Sequence, residues 1–256
     1  MRNFKRNKDL KRRGAALVTG AARGLGFETA KRLQAYGYEV ILSGRDGSAL
    51  LSAAQKLGCR CYAADLSSEH GAKDLYNAVK NDGIKLSVLV NNAGLGASGE
   101  AWRVPYERDR ELIEVNVAAA TELSKLFLSD ACERGFGKLM NVCSVGAFQP
   151  GPYTASYYAS KAYLHSYTLA LRKEAKAYGV SVCSLCPGPL DTGFFGSAGA
   201  KKPKNAMSPE KAADYAVKKF MKNKAVIIPG FANRLARLLP QSIKTAYVAR
   251  IKATHK

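Results

Sequence analysis

The chain of 256 residues is 47% hydrophobic, which is enough to build a buried core and excludes disorder over most of its length. A total of 40 Lys and Arg against 20 Asp and Glu gives a net charge of +20. The excess is concentrated at the two ends: residues 1–13 hold seven basic residues and one acid, and residues 211–256 hold eleven basic residues and one acid. The nearly balanced middle argues against a nucleic-acid-binding domain and leaves an anionic membrane or an acidic protein as a partner of the ends.

Strand-like and helix-like segments alternate along the chain. Short apolar runs predict strands at 15–19, 39–43, 59–63, 86–90, 138–144, 180–186 and 225–229. Apolar residues at helical spacing predict helices at 24–36, 47–56, 70–81, 108–134, 155–178 and 208–222. This alternation predicts an α/β fold with a Rossmann-type doubly wound parallel sheet of about seven strands, covered on both faces.

No composition break divides the chain, so we expect one domain over 1–256. Its core, 14–230, lies between a basic N-terminal tail, 1–13, and basic amphipathic C-terminal helices, 231–256. No apolar run is long enough to span a membrane, and the charged N-terminus is not followed by the apolar segment of a secretory signal. We therefore expect a cytoplasmic protein, with peripheral attachment to a membrane left open.

No cluster of His, Asp or Glu in the sequence has the spacing of metal ligands. The CxxC pair Cys183 and Cys186 lies in a run that reads as a buried strand, without a second CxxC or a His pair nearby. Six cysteines in a chain of this length also do not predict a disulfide framework. We expect no metal site.

A glycine-rich loop follows the first predicted strand, with the sequence TGAARGLG at 19–26. Glycines allow a phosphate to approach the backbone, and the helix that starts here offers unpaired N–H groups. Because the loop follows a strand, opens a helix and begins a βαβ unit, it predicts a nucleotide-binding site rather than an ordinary turn.

Further motifs follow in a characteristic order. The glycine spacing is TGxxxGxG, NNAG occupies 91–94 after the fourth strand, and Tyr157 and Lys161 form a YxxxK motif thirteen residues after Ser144. With Asn116 in the predicted helix 108–134, these residues resemble the short-chain dehydrogenase/reductase family over roughly 14–230. The resemblance implies an NAD(P)-dependent enzyme that interconverts a ketone and a secondary alcohol, and a homodimer or homotetramer.

The end of the second strand predicts the choice of cofactor. NAD enzymes place an acid there, whereas an Arg accepts the 2′-phosphate of NADP. Arg45, with Arg23 from the glycine loop, therefore favours NADP(H), while Asp46 keeps NAD(H) open. The glycine loop and the family resemblance together imply cofactor contacts from Gly20, Arg23, Gly24, Leu25, Gly26, Ser43, Arg45, Asp65, Leu66, Asn92, Ala93, Gly94, Tyr157, Lys161, Pro187, Gly188 and Thr192.

Four residues form the expected catalytic set. Tyr157 would donate the proton in reduction, and Lys161, four residues later on the same helical face, would lower the pKa of the tyrosine. By resemblance, Lys161 also holds the nicotinamide ribose, Ser144 hydrogen-bonds the substrate oxygen, and Asn116 holds a water that links Lys161 to solvent. Tyr158 is the rival proton donor, but it misfits both spacings of the motif.

A loop rich in glycine begins at 187 and runs to about 206, which predicts a lid over the site or else a disordered connection. By resemblance, Gly188 and Thr192 approach the nicotinamide. Apolar or catalytic side chains that would contact substrate are Ser144, Phe148, Tyr153, Tyr157, Leu190, Phe194 and Phe195. They favour a small apolar carbonyl substrate, 3-oxoacyl-like or sterol-like.

The C-terminal segment carries apolar residues at helical spacing among basic ones, at Phe231, Leu235, Leu238 and Leu239 and again at Ile243, Tyr247 and Ile251. Three interpretations stay open: packing on the enzyme body or a second subunit, binding to an anionic membrane, or docking of an acidic acyl carrier protein. The alternative to an enzyme is an NADP-binding regulator or scaffold with little turnover, which the complete catalytic set disfavours. An NADP-dependent epimerase of the extended branch is disfavoured because its longer substrate domain is missing.

Overall fold

One parallel sheet organises the chain, in a computed structural model that describes residues 13–201 and 203–253. Its strand order is β3-β2-β1-β4-β5-β6-β7. The strands are β1 (Ala15–Thr19), β2 (Glu39–Gly44), β3 (Arg60–Ala63), β4 (Leu86–Asn91), β5 (Gly137–Val142), β6 (Val180–Leu185) and β7 (Val226–Ile227). The predicted single-domain Rossmann fold with seven parallel strands is confirmed.

Helices cover both faces of this sheet, because the strands are apolar on both sides. They are α1 (Gly24–Ala35), α2 (Gly47–Leu57), α3 (Gly71–Asn81), α4 (Tyr106–Ile113), α5 (Ala120–Glu133), α6 (Ala155–Ala175), α7 (Phe194–Ser197), α8 (Pro209–Met221), α9 (Phe231–Ala236) and α10 (Gln241–Ala253). One core packs β1 and β2 side chains with α1, α2 and α8 around Leu33 and Phe220. A second core packs the opposite face with α3 and α5 around Leu75 and Phe127.

The strand order reverses beside β1, which pairs with β2 on one side and with β4 on the other. Chain connections therefore leave in opposite directions at this point and open a crevice at the carboxyl ends of β1 and β4. Thr19 ends β1 and Asn91 ends β4, so the fold brings the glycine loop and the NNAG motif to the same crevice.

The predicted helix 108–134 is wrong as a continuous element. It consists of α4, a π-helical segment at Glu114–Ala119 and α5. The interruption accommodates Asn116, which is fully buried and uses its side chain to hold the backbone of Leu95. The sequence prediction treats 108–134 as one helix because a single π turn occurs inside otherwise regular α-helices and has no residue signature of its own.

Other boundaries differ less. The predicted helix 155–178 ends at Ala175 and continues as a 3₁₀ turn over 176–178, while the predicted strand 225–229 is paired only at Val226–Ile227. The loop that starts at 187 is not without structure, because it contains α7. Residues 1–12 of the basic tail and residues 254–256 lie outside the described part of the chain.

The apolar residues of α9 and α10 do not pack on the enzyme body. Phe231, Leu235, Leu238, Ile243 and Tyr247 are all exposed, with Leu238 at 79%. The body is contacted by the other side of these helices, where Val248 is buried. Packing on the enzyme's own body is therefore wrong as the interpretation of these apolar stripes. Within the described residues, no helix combines the length and apolar character needed to cross a membrane.

Candidate active site

The glycine loop after β1 is tied to the loop after β4. The Thr19 hydroxyl accepts the backbone N–H groups of Asn92 and Ala93, both at 3.0 Å. In return, the Asn92 amide donates to the carbonyls of Thr19 at 2.9 Å and Gly20 at 3.0 Å. Gly20 has φ +61°, and a Cβ there would lie 2.8 Å from the Cα of Ala93, so only glycine fits this turn.

The start of α1 fits the phosphates of a dinucleotide. Its N-cap residue, Arg23, is exposed and extended, and within the described chain no side chain caps the helix and no acid occupies its first turn. The first N–H groups and the positive end of the helix dipole therefore stay available for an anion. Thr192 of the loop after β6 lies over the turn, 3.1 Å from where a Cβ of Gly24 would stand.

Two charged residues follow β2: the exposed Arg45 and Asp46, whose carboxylate caps a helix. Asp46 caps α2 by accepting the N–H of Ala49 at 3.1 Å and the hydroxyl of Ser48 at 2.9 Å, and the Ala49 bond in particular lowers its pKa. Arg45 instead points outward and contacts Glu111 at 2.7 Å. Asp46, the acid for which NAD(H) remained a possible cofactor, thus uses its carboxylate as a helix cap.

Three further predicted cofactor residues border this edge. Ser43 is buried, and its hydroxyl has no hydrogen-bond partner among the described residues. The Asp65 carboxylate accepts the N–H of Ser67 at 2.9 Å and its hydroxyl at 2.6 Å, which lowers the pKa of Asp65, while Leu66 packs into the second core. Their contacts with a cofactor stay predictions.

Lys161, Asn116 and Gly94 converge beneath the crevice. A Cβ on Gly94 would lie 3.2 Å from both the Lys161 Nζ and the Asn116 Oδ1. Lys161 is buried and donates to the carbonyl of Val142 at 2.9 Å, and this burial lowers the pKa of its ammonium. Both amide hydrogens of Asn116 are used, at 2.9 Å by the Leu95 carbonyl and at 3.0 Å by the Ser160 hydroxyl.

Tyr157 stands above this group, with its ring centroid 5.9 Å from the Lys161 Nζ. Burial raises the pKa of Tyr157 to about 12, whereas the hydrogen bond with the Ser144 hydroxyl lowers this pKa. In the protein alone the Lys161 ammonium is directed at the carbonyl of Val142, and the lowering of the Tyr157 pKa by Lys161 stays a prediction. Ser144 also accepts the N–H of Gly146 at 3.0 Å.

The rival tyrosine has a packing role. The ring of Tyr158 lies against the loop before α6, where a Cβ on Gly151 would come within 2.2 Å of it. A Cβ on Gly146 would lie 3.2 Å from the same ring. These contacts fix Tyr158 under the loop, and burial raises its pKa.

The predicted substrate residues occupy different positions around Tyr157. Phe194 lies with its ring 5.4 Å from that of Tyr157, and Phe195 lies 6.2 Å from Phe194. Phe148 is further away, between His165 at 5.0 Å and the guanidinium of Arg237, also at 5.0 Å. Phe194 of α7 is thus the phenylalanine that meets the candidate proton donor, with Phe195 packed behind it.

Four more residues of the lid and its neighbours have clear structural contacts. Tyr153 adopts φ 62° and accepts the N–H of Gly99 at 2.9 Å through its carbonyl. Leu190 pairs with Met207 and packs against the first core. Pro187 is buried after β6, and Gly188 is approached by Asn233, which would lie 2.4 Å from a Cβ there.

The sequence misses residues that only the fold brings together. Glu111 meets Arg45 from α4, 66 positions away. His165, which the sequence suggests is a packing or surface residue, packs against Phe148 and is also hydrogen-bonded to the buried hydroxyl of Ser184 at 2.7 Å. Two cysteines, Cys143 and Cys186, complete this cluster. The available signal was that positions 184 and 186 share one face of β6.

Known proteins resemble this chain over most of its length. A family model for short chain dehydrogenases matches residues 14–203. The 1-deoxy-11-beta-hydroxypentalenate dehydrogenase of Streptomyces exfoliatus is 36% identical over 186 residues, which cover 70% of this chain and 68% of the relative. A short-chain dehydrogenase from Sphingobium yanoikuyae in complex with NADPH has a TM-score of 0.80 at 26% identity and covers 93% of this chain and 95% of its own.

A second solved structure extends the comparison. The 3-ketoacyl-(acyl-carrier-protein) reductase from Brucella melitensis complexed with NADH has a TM-score of 0.75 at 27% identity, covering 84% of this chain and 96% of its own. The range matched by the family model contains the glycine loop, Asn116, Ser144, Tyr157 and Lys161.

Proposed function

The chain belongs to the short-chain dehydrogenase/reductase family of NAD(P)-dependent oxidoreductases, and we propose that within it the protein reduces an apolar ketone to a secondary alcohol with NADPH. The observation that carries this proposal is the convergence of Tyr157, Lys161 and Asn116 beneath the crevice where β1 and β4 end. Such crevices bind dinucleotides in doubly wound sheets.

The glycine loop and the edges of β2 and β4 would hold the cofactor. The unpaired start of α1 and the exposed Arg23 suit the pyrophosphate, while Gly20 and Gly24 leave room for its approach. When bound, NADPH supplies the hydride that the substrate carbon receives. Thr192 covers the glycine loop from the lid, so the lid would shield this end of the cofactor from water.

The preference for NADPH over NADH rests on the end of β2. Asp46 is engaged as the cap of α2, and Arg45 presents an exposed guanidinium to the same edge. An Arg recognises a phosphate with a planar fork of N–H donors, which an NADH ribose cannot use. The related structures carry NADPH in one case and NADH in the other, so the family alone does not decide.

The proton chemistry falls to Tyr157 and Ser144. Burial raises the pKa of Tyr157 to about 12, so its hydroxyl stays protonated and can donate to the carbonyl oxygen as that oxygen gains charge. Ser144 would donate a second hydrogen bond to the same oxygen. Lys161 would hold the cofactor ribose. Asn116, whose amide hydrogens are already used, acts as a positioning residue for Leu95 and Gly94, and the water predicted for it would need another donor.

The matched pair Tyr157→Phe and Tyr158→Phe tests this assignment. We expect Tyr157→Phe to lose NADPH-dependent ketone reduction by about 10²-fold or more, since a general acid contributes on that order. Tyr158→Phe, which keeps the ring that packs on Gly151, should retain activity. Titration with NADPH checks that both variants still bind cofactor. Full activity of Tyr157→Phe would contradict the mechanism.

The substrate class follows from the rings beside Tyr157. Phe194 packs against the ring of Tyr157, Phe195 packs against Phe194, and Phe148 and Tyr153 lie on neighbouring loops. They support an apolar substrate, such as a 3-oxoacyl chain or a sterol-like ketone. A panel of ketones of increasing size, assayed by NADPH consumption, would identify it. NADPH binding without turnover on the whole panel would instead support a cofactor-binding regulator or scaffold.

We also propose that α9 and α10 attach the enzyme to an anionic membrane surface. Most of their apolar side chains are exposed, and within the described chain α9, α10 and the turn between them carry Arg234, Arg237, Lys244, Arg250 and Lys252 without a single acid. Apolar residues among cations are typical of helices that lie in a lipid interface. Lys244 also donates to the carbonyl of Phe148 at 3.0 Å, so the surface adjoins a predicted substrate wall.

Vesicle sedimentation tests the attachment with the full chain. The double variant Leu238→Ser, Leu239→Ser should stop binding to vesicles that contain phosphatidylserine, whereas Leu51→Ser, an equally exposed leucine on α2, should not. Equal sedimentation of all three proteins would contradict the proposal. If the double variant dissociated an oligomer, this face would instead belong to the contact with a second copy, in the homodimer or homotetramer that we expect. If the protein bound acyl carrier protein but not vesicles, the face would be assigned to that partner.

A further inference from the structure

A polar cluster lies inside the apolar core beneath the loop that carries Ser144. Cys143 follows β5, Cys186 follows the adjacent strand β6, and His165 reaches them from α6. The two cysteines extend the register in which Val142 pairs with Leu185, so they stand side by side. Cys143 and Cys186 are buried, and the two sulfurs and a histidine nitrogen all lie within 4.8 Å of one another.

Ser184 adds a fourth donor atom to this group. Its Oγ lies 2.7 Å from the His165 Nδ1 and 3.3 Å from each of the two sulfurs. The Cys186 sulfur in turn lies 3.7 Å from the His165 Nδ1. Sulfur, sulfur, nitrogen and oxygen therefore occupy four corners of a small polyhedron.

The dimensions of this polyhedron suit a tetrahedral metal ion. Zinc binds sulfur at about 2.3 Å and nitrogen at about 2.0 Å, so two ligands of one tetrahedral ion stand about 3.4 to 3.8 Å apart. The sulfur–nitrogen separation of 3.7 Å and the sulfur–oxygen separations of 3.3 Å lie near that range. Only the nitrogen–oxygen pair, at 2.7 Å, is closer, and it would open as the serine and histidine exchanged their hydrogen bond for metal bonds.

The charges of the cluster also suit a divalent ion. Two thiolates would cancel the charge of a buried Zn²⁺, with a neutral imidazole and a neutral hydroxyl as the other ligands. Metal binding would release the protons that the two thiols hold.

We propose that Cys143, His165, Ser184 and Cys186 form a closed, tetrahedral site for a thiophilic divalent ion, with Zn²⁺ as the best match. Soft sulfur and imidazole donors select such ions over Mg²⁺ or Ca²⁺. Four protein ligands without an open position are typical of a structural site. Because Cys143 directly precedes Ser144, the ion would fix the backbone that presents Ser144 to the site, and the proposal does not depend on the enzyme's substrate.

Metal content of the purified full chain provides the test. Protein from zinc-supplemented cultures, dialysed against EDTA, should retain about one zinc per chain by elemental analysis. Protein from cobalt-supplemented cultures should show the near-ultraviolet charge-transfer band and visible bands of thiolate-bound tetrahedral Co²⁺. A metal-free protein with no cobalt bands under these conditions would overturn the proposal without any variant being needed.

Variants assign the ligands. Cys143→Ala and Cys186→Ala should lose the zinc and the cobalt bands. Cys183→Ala is the matched control, because Cys183 is equally buried on the same strand but packs into the first core. Circular dichroism and NADPH titration check folding of each variant. Unchanged zinc in folded Cys143→Ala or Cys186→Ala would place the ion elsewhere and refute the site, whatever the catalytic activity of the protein.

Discussion

Replacing Arg45 by alanine should weaken NADPH binding about tenfold and leave NADH binding unchanged. A hydrogen bond between charged groups contributes about 1.5–3 kcal/mol. Because the Arg45 side chain is 59% exposed, solvent screens its interaction with a phosphate, so we take the lower end of this range. About 1.4 kcal/mol corresponds to a factor of ten in Kd.

Glu111 provides the opposite perturbation at the same place. Its carboxylate contacts Arg45 at 2.7 Å and competes with a phosphate for the guanidinium. An exposed ion pair contributes about 0.2–1 kcal/mol, so Glu111→Gln should tighten NADPH binding by a factor of about 1.4 to 5. Arg108, the other partner of Glu111, stays anchored by the carbonyls of Gly96 and Ser197.

Isothermal titration calorimetry with NADPH and NADH, at low and high salt, measures both effects. Arg60→Ala is the matched control, since Arg60 is an equally exposed arginine whose carboxylate partner, Glu39, starts β2 at the opposite edge of the sheet. An equal loss for NADPH and NADH on replacing Arg45, or weaker NADPH binding by Glu111→Gln, would refute the role of Arg45.

Two further substitutions test the glycine turn and the core. Gly20→Ala should abolish NADPH binding and lower Tm more than Gly58→Ala. Both glycines have a positive φ near +60°, but only a Cβ at Gly20 would meet backbone, 2.8 Å away. If both variants lowered Tm equally in thermal unfolding, backbone strain would be the whole cause and the close approach at Gly20 would have no effect. Tyr76 is buried and donates a hydrogen bond to Asp130 at 2.9 Å, and burial together with this bond raises its pKa above the ordinary value of about 10. As the pH rises, Tyr76 therefore ionises in the unfolded chain before it ionises in the folded one. The free energy of unfolding should fall as the pH rises past about 10. Urea unfolding at pH 8 and pH 10.5 should show a smaller loss for Tyr76→Phe than for the unchanged protein, and an identical loss in both would contradict this.

The parallel sheet could be predicted from the sequence because its strands give local signals. The central strands β1, β2, β4, β5 and β6 are apolar runs of the right length, and parallel strands buried on both faces need no alternation to be recognised. The glycine loop and the YxxxK spacing also act locally, since residues 19–26 form one turn and Tyr157 and Lys161 one helical face. These features therefore agree with the structure.

The contacts that tune the site could not be predicted, because they join distant segments. Arg45 meets Glu111 only after α4 folds over the end of β2. The pKa of Tyr157 is set by burial, which a motif does not report. The thiol of Cys143 meets His165 through strand pairing and helix packing, although neither residue has a ligand spacing in sequence.

The π-helical segment at Glu114–Ala119 sets the phase of α4 relative to α5. Because each residue turns an α-helix by about 100°, deleting one residue from this segment would restore a regular helix and rotate α4 by about that angle. Glu111 would then leave Arg45, and Arg108 would leave Ser197 in α7, and the second core would be disturbed where Val115 and Ala119 pack in it. A length change of one residue would thus separate the cofactor edge from the lid, so homologues that differ in length here should also differ in how their lids respond to cofactor.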